Sequence, residues 1–150
     1  MEAPIVVHCC HCRWCQRETG ASFALNAMIE TSKLKILEGE PEWTLVPSQS
    51  GDGQNIARCP RCKIAIWSVY HYIRNNKAGM GPLRIVRVGT LDDANSCPPD
   101  IHIWTIHKQG WIILSDETPA FGTGTYDREK VWSTESLERF TRAKGVEDSK

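Results

Sequence analysis

The chain has 150 residues, enough for one domain whose core needs no disulfide. Hydrophobic residues make up 41% and charged residues 24%, which is ordinary for a globular protein. Lys and Arg together number 18, as do Asp and Glu, so the formal net charge is zero. This balance argues against a nucleic-acid-binding protein, whose phosphate contacts need surplus positive charge.

The N-terminal stretch MEAPIVVHCC does not predict a signal peptide, because it has an acidic second residue and only three consecutive apolar residues, Ile5 to Val7. No apolar run approaches the length of about 20 residues that spans a bilayer. We therefore expect a cytoplasmic protein with no membrane partner. In that reducing compartment, clustered cysteines indicate metal or redox chemistry rather than disulfides.

The first distinctive segment in chain order is VVHCCHCRWCQRETG, residues 6–20, which holds four of the seven cysteines. Beyond it, short apolar runs alternate with turn-forming residues, a pattern typical of an antiparallel β-sheet fold. The predicted strands are 23–30, 33–39, 42–47, 55–58, 64–72 and 83–89, followed by two strands within 100–114 that join at Lys108-Gln109-Gly110.

The C-terminal part of the chain has a different pattern. Residues 115–132 are predicted to be irregular, whereas 133–145 offer an N-cap serine or threonine, one apolar face and a final glycine. This predicts one short helix. We expect a zinc-binding domain at 1–115 and a C-terminal extension at 116–150 that is not an independent domain.

Two Cys-x-x-Cys pairs, Cys12/Cys15 and Cys59/Cys62, are separated by 43 residues. Each pair can wrap a turn that points two sulfurs at one metal, and two such turns form a four-sulfur tetrahedral site that favours zinc. A thioredoxin-like redox pair would need a βαβ context, which the pattern does not show. Buried unligated cysteines are the other interpretation, and it suits the isolated Cys97 better than the clustered ones.

Two further cysteines, Cys9 and Cys10, exceed the four sulfurs of such a site. Cys10, Cys12 and Cys15 alone can hold zinc with three thiolates and leave the fourth position free for an incoming thiolate. Structural zinc sites are closed by four protein ligands, whereas catalytic sites keep one position open. The sequence favours one zinc per chain, with two possible, and leaves both arrangements open.

The segment CHCRWCQRETGASF (10–23) resembles the glutathione-dependent formaldehyde-activating enzyme family, which includes centromere protein V. The resemblance continues at ARCPRCKIAIW (57–67), where Lys63 stands in the place of a usual glycine, and at VGTLDD (88–93) and PPDIHIW (98–104). It implies the Mss4-like fold, a mainly β structure of twisted antiparallel sheets with a zinc knuckle. The predicted short C-terminal helix is added to that fold.

The family pattern has two zinc sites. It implies a closed structural site at Cys59 and Cys62, completed by an N-terminal Cys-x-Cys, and a three-thiolate site at Cys10, Cys12 and Cys15. We expect this chain to be a short form without the N-terminal pair, for which only His8 and Cys9 could substitute. The economical arrangement is then one closed zinc that joins the two Cys-x-x-Cys pairs, with Cys10 beside it.

The resemblance implies a carbon–sulfur lyase-type activity that joins glutathione and formaldehyde to give S-hydroxymethylglutathione. Cys10 is the candidate catalytic residue, and a small thiol such as glutathione is the expected partner. The alternative is a non-catalytic, zinc-stabilised binding or scaffold domain. We expect His102, in the HIW triplet, to be simply packed or solvated rather than a ligand, because that is the commoner role of a histidine on a strand.

Overall fold

The computed structural model describes residues 3–70 and 81–145. The strands in these ranges are β1 (Val6–Cys10), β2 (Ala24–Glu30), β3 (Glu42–Val46), β4 (Gln54–Arg58), β5 (Ala65–Tyr70), β6 (Leu83–Arg87) and β7 (Ile101–Ile103). They form one sheet in the order β3-β4-β5-β6-β2-β1-β7. The mainly β prediction is confirmed, and the architecture is consistent with the Mss4-like fold. The sheet is mixed rather than wholly antiparallel, because β1 pairs with β7 in parallel.

In the described ranges, two α-helices accompany the sheet, α1 (Arg13–Thr19) and α2 (Thr134–Gly145). The predicted C-terminal helix is confirmed as α2, with the Ser133 hydroxyl accepting from the backbone N–H of Ser136 at 3.1 Å. Single 3₁₀ turns are found at Thr31–Lys33, Val88–Thr90, Ala94–Ser96, Thr105–His107 and Arg128–Lys130. None of the helices in the described ranges has the length and apolar character that crossing a membrane requires.

The strand predicted at 33–39 is wrong. Both edges of β2, the strand that precedes this segment, are already occupied, by β1 and by β6. The segment therefore crosses the surface, where Ile36 and Leu37 are 49% and 88% exposed. The apolar residues of this segment follow a strand-like pattern, but they are exposed and do not belong to a sheet.

The two strands predicted within 100–114 reduce to β7. Trp104 has a left-handed backbone with φ of 58°, which ends the strand and turns the chain into a 3₁₀ turn. The second predicted run does not pair, and Trp111 and Ile113 are 72% and 94% exposed. Of the predicted strand 64–72, His71 and Tyr72 lie outside the described residues.

Two elements were not predicted, β1 and α1, and both lie in the cysteine-rich segment. β1 is placed between β2 and β7, and four of its five residues are buried. α1 begins after Cys12, which is its N-cap, and ends at Gly20 with φ of 66°. The spacing predicted a metal-binding turn here and not the regular strand and helix on either side of it.

Helix α2 is fixed to the end of β2 by a buried ion pair and to the start of the chain by a hydrogen bond. The Arg139 guanidinium donates to both carboxylate oxygens of Glu30, at 2.9 and 2.8 Å, and their side chains are only 8% and 12% exposed. Arg139 also donates to the Ala3 carbonyl at 2.9 Å. On the same side, Ile5 and Trp132 belong to the main apolar core. The C-terminal segment therefore covers the N-terminal strand.

Candidate metal centre

The alternation of side chains along β1 distributes the N-terminal cysteines between two faces of the sheet. Successive residues of a strand point to opposite faces. His8, Cys10 and Cys12 consequently line one cavity, whereas Cys9 and His11 point to the other side. Each face then has its own group of metal-ligating atoms.

On the cavity face, the sulfurs of Cys10, Cys12 and Cys15 all lie within 4.8 Å of one another, and all three residues are buried. Cys10 ends β1, Cys12 caps α1 and Cys15 lies in its first turn. Thiolates at the usual Zn–S distance of about 2.3 Å around a tetrahedral ion are separated by about 3.8 Å. The group therefore fits a divalent metal held by three thiolates.

The arrangement of these three thiols favours the deprotonation of one of them, Cys12. Hydrogen bonds from the Cys10 and Cys15 thiols, together with backbone N–H groups, lower the pKa of Cys12 to about 3. The Cys15 N–H lies 3.3 Å from the Cys12 sulfur. The same sharing of protons with Cys12 and Cys15, with burial added, raises the pKa of Cys10. The cluster therefore holds negative charge at neutral pH, as a cation site requires.

A buried arginine stands behind the cluster. Arg87, 6% exposed, donates to the Asn26 side-chain oxygen, and the Asn26 amide lies 3.9 Å from the Cys15 sulfur. A divalent metal on three thiolates carries a net charge of about −1, which the Arg87 guanidinium can offset. Outer hydrogen bonds of this kind orient ligands and tune a metal site.

The three thiols open onto a cavity of about 480 Å³. This volume lies within the range typical of small-molecule sites. Trp14 and Trp104 pack against the thiol cluster and line the cavity. Polar side chains of the loop before β4, including Ser48 and Ser50, form another part of the wall.

The far wall combines a polar chain and a cation. The Trp132 indole N–H donates to the Tyr126 hydroxyl at 2.9 Å, and the Tyr126 oxygen lies 2.6 Å from His8 Nε2. Burial, with the Arg128 charge added, lowers the pKa of His8 to about 4, so the imidazole that shares this hydrogen bond with Tyr126 is neutral. The Arg128 guanidinium lies 4.8 Å from the Phe140 ring centroid and 5.5 Å from that of Trp132. This stacking positions an exposed positive charge at the cavity rim.

Cys59 and Cys62 lie in the turn between β4 and β5, the first partly exposed and the second exposed. Backbone N–H groups of Cys62 and Arg61 lower the pKa of Cys59, as in a metal knuckle. Lys63 adopts φ of 64°, which explains why a glycine suits this position. Within residues 3–70 and 81–145, this pair joins neither group of three ligating residues. The closed four-sulfur site that includes it stays a prediction.

The opposite face of β1 holds a second group, Cys9, His11 and His102, whose ligating atoms also lie within 4.8 Å of one another. Burial is the main reason that the pKa of the Cys9 thiol rises to about 12. The same effect lowers the pKa of His11 to about 4. As a free thiol, Cys9 is therefore a weak nucleophile.

Several residues of the cavity and of its supporting network escaped sequence reasoning. Arg87 and Asn26 lie on strands predicted only for their apolar residues, and Tyr126 and Arg128 lie in a segment predicted to be irregular. The spacing of cysteines identifies candidate ligands that are close in sequence. It does not show which distant strand supplies the positive charge behind them, here that of Arg87. The sequence of the turn at Asp127 to Glu129 has no motif that would have predicted a site there.

Two comparisons with known proteins bear on this geometry. Residues 1–107 match the sequence profile of the glutathione-dependent formaldehyde-activating enzyme. The match includes both N-terminal ligand groups and the Cys59/Cys62 turn. No curated protein matches the chain significantly.

Proposed function

Because the chain belongs to the glutathione-dependent formaldehyde-activating enzyme family, we propose that it adds a small thiol, glutathione, to formaldehyde or a similar aldehyde. The observation that supports this most is the placement of three buried thiols at the wall of a 480 Å³ cavity. Three protein ligands leave one position for a substrate, the arrangement of catalytic zinc sites. We propose zinc as the metal and the cytoplasm as the compartment, because clustered free thiols suit reducing conditions.

Cys10, Cys12 and Cys15 would hold the zinc, and Cys12 is the one of the three whose thiol pKa is lowered. When bound, zinc is a Lewis acid that keeps a thiol ligand deprotonated at neutral pH. Cys59 and Cys62 are proposed as ligands of a separate structural metal, completed by donors outside their turn.

The cavity walls supply binding and orientation. Glutathione carries carboxylates, and Arg128 at the rim is held by two aromatic rings in a position to pair with one of them. Trp14 and Trp104, which pack against the three protein thiols, would shield a bound substrate sulfur from water. Holding thiol and aldehyde together raises their effective concentration.

The reaction is an addition without a redox change. The glutathione sulfur forms a bond to the aldehyde carbon, the carbonyl π electrons move to oxygen, and that oxygen gains the proton that the thiol loses. The Tyr126 hydroxyl and His8, hydrogen-bonded to each other on the cavity wall, are the groups placed to relay this proton.

The test compares the unmodified protein with Cys10→Ser. We expect the unmodified protein to bind glutathione and to accelerate S-hydroxymethylglutathione formation, measured by exchange NMR against the uncatalysed reaction. Cys10→Ser is expected to lose both. Tight, metal-dependent glutathione binding without acceleration would contradict the lyase proposal and identify a non-catalytic thiol-binding domain.

A second prediction concerns Arg128. Arg128→Ala should weaken glutathione binding about tenfold, because a charge-assisted hydrogen bond contributes about 1.5–3 kcal/mol. Lys130→Ala is the control, since Lys130 lies in the same turn, is 81% exposed and pairs with Asp127. Isothermal titration calorimetry measures the affinity of each protein for glutathione and for glutathione diester, in which both carboxylates are esterified. Equal affinities for Arg128→Ala and the unmodified protein would show that the carboxylates bind elsewhere.

A further inference from the structure

On the face of β1 opposite the cavity, we propose a second metal site, formed by Cys9, His11 and His102, that binds zinc. Its three residues lie outside the cavity lining and contribute nothing to the reaction proposed above. The Cys9 sulfur lies 3.6 Å from His11 Nε2, and His11 Nε2 lies 3.1 Å from His102 Nδ1.

The backbone pairing explains why these atoms converge. Cys9 and His102 are direct partners in the parallel β1–β7 register, so their side chains share a face. His11 follows two residues after Cys9, and its N–H donates to the Ile103 carbonyl at 3.0 Å. The Gln16 side chain donates to the His11 carbonyl at 2.6 Å, so both backbone groups of His11 are fixed. The ligand set is therefore held by main-chain bonds that do not depend on a metal.

The distances fit a tetrahedral ion. With Zn–S of about 2.3 Å and Zn–N of about 2.0 Å, tetrahedral angles place sulfur and nitrogen about 3.6 Å apart and two nitrogens about 3.3 Å apart. The observed separations are 3.6 and 3.1 Å. Cysteine and histidine are both ligands that zinc prefers.

Hydrogen bonding alone does not satisfy this group. His11 Nε2 has either one proton or one lone pair, so it serves Cys9 or His102 but not both. His11 is fully buried, so solvent cannot make up the missing interaction at Nε2. A cation at the point where the three atoms converge engages all of them at once, which a proton cannot do.

The surroundings suit a site that joins two strands. The Phe23 ring lies 5.5 Å from the His11 ring and covers it. His102 is the most accessible of the three residues, so a water molecule can complete four-coordination from its side. A metal here would tie the short edge strand β7 to β1 independently of the three-thiol cluster.

The experiment measures zinc content by elemental analysis in the full chain prepared without chelator. We expect Cys9→Ala and His102→Asn each to contain one zinc fewer per chain than the unmodified protein. Asn at position 102 keeps a hydrogen-bonding group near the place of Nδ1 but is a poor zinc ligand. The control is Cys97→Ala, which removes another buried thiol that belongs to neither group and should keep the full zinc content.

Cobalt titration gives a readout that does not depend on the stability of those variants. In a Cys12→Ser/Cys62→Ser background, which removes one ligand from each of the other two proposed sites, Co²⁺ should still produce thiolate-to-cobalt absorption from Cys9, and adding His102→Asn should abolish it. If this double variant does not fold, the difference in cobalt absorption between the unmodified protein and His102→Asn reports the same site. Equal zinc and cobalt binding with and without His102→Asn and Cys9→Ala would overturn the proposal and leave a hydrogen-bonded histidine pair.

Discussion

Replacing Cys12 with serine is expected to release the metal of the cavity site and to lower the free energy of unfolding by about 3 kcal/mol or more. Cys12 is the centre of the cluster, because it accepts hydrogen bonds from both other thiols and from the Cys15 N–H, and it caps α1. Serine keeps a cap but binds zinc poorly. The decrease in the free energy of unfolding therefore measures the contribution of the metal and not that of the helix cap. A melting temperature lower by roughly 10 °C, with one zinc fewer per chain, is the expected measurement.

The same measurement on Cys62→Ser separates the two zinc arrangements. A closed site of Cys12, Cys15, Cys59 and Cys62 would lose its metal in both variants. In the open three-thiol site, Cys62→Ser leaves the metal of the cavity in place, because Cys62 is exposed in a different turn. Glutathione binding retained in Cys62→Ser and lost in Cys12→Ser would support the open site; loss in both would favour the closed one.

Removing the Arg139 side chain is expected to cost about 3–5 kcal/mol, because it leaves the Glu30 carboxylate buried without its bidentate partner. Arg139→Ala also breaks the hydrogen bond to the Ala3 carbonyl. Arg142→Ala, on the same helix but exposed, is the matched control and should change stability by less than about 0.5 kcal/mol. Denaturant unfolding of both variants gives the comparison, and equal midpoints would refute a stabilising role for the pair.

This ion pair also predicts a pH dependence. Arg139 is the main cause that lowers the pKa of Glu30 from 4.5 to about 2. A carboxyl group with a lowered folded-state pKa stabilises the fold above its unfolded value, and this contribution, about 3 kcal/mol, is lost as pH falls from 4.5 towards 2. In Arg139→Ala, the slope of stability against pH in this window should flatten. An unchanged slope would mean that other carboxylates cause the acid sensitivity.

The fold was predictable where local patterns and the final pairing agree. The runs that became β2, β4 and β6 alternate or end at clear turns, and each finds a partner on both sides. Residues 33–39 have a similar pattern, but both edges of the preceding strand β2 are occupied by β1 and β6, and no local signal reports that occupancy. Trp104 ends β7 through a left-handed backbone that a bulky residue rarely adopts, so no propensity would place the turn there.

Sequence reasoning identified the candidate ligands of the site but not their geometry. Sequence spacing identified Cys10, Cys12 and Cys15, because metal knuckles need ligands two or three residues apart. The sequence also favoured one metal site made of Cys12, Cys15, Cys59 and Cys62. A count of sulfurs does not show that the Cys10 sulfur, rather than those of Cys59 and Cys62, lies beside Cys12 and Cys15. His102 was expected to be simply packed, and its position opposite Cys9 follows only from a parallel pairing between strands about 90 residues apart in the chain.

The closeness of the three thiols in sequence has a consequence for biosynthesis. Cys10, Cys12 and Cys15 leave the ribosome together, and bringing them to one ion closes only very short loops. Tyr126 and Arg128, which complete the cavity wall, are synthesised more than 100 residues later. If these thiols hold the proposed metal, a nascent chain has all three ligands long before the wall of the proposed substrate cavity exists. Metal binding would then precede ligand binding during synthesis.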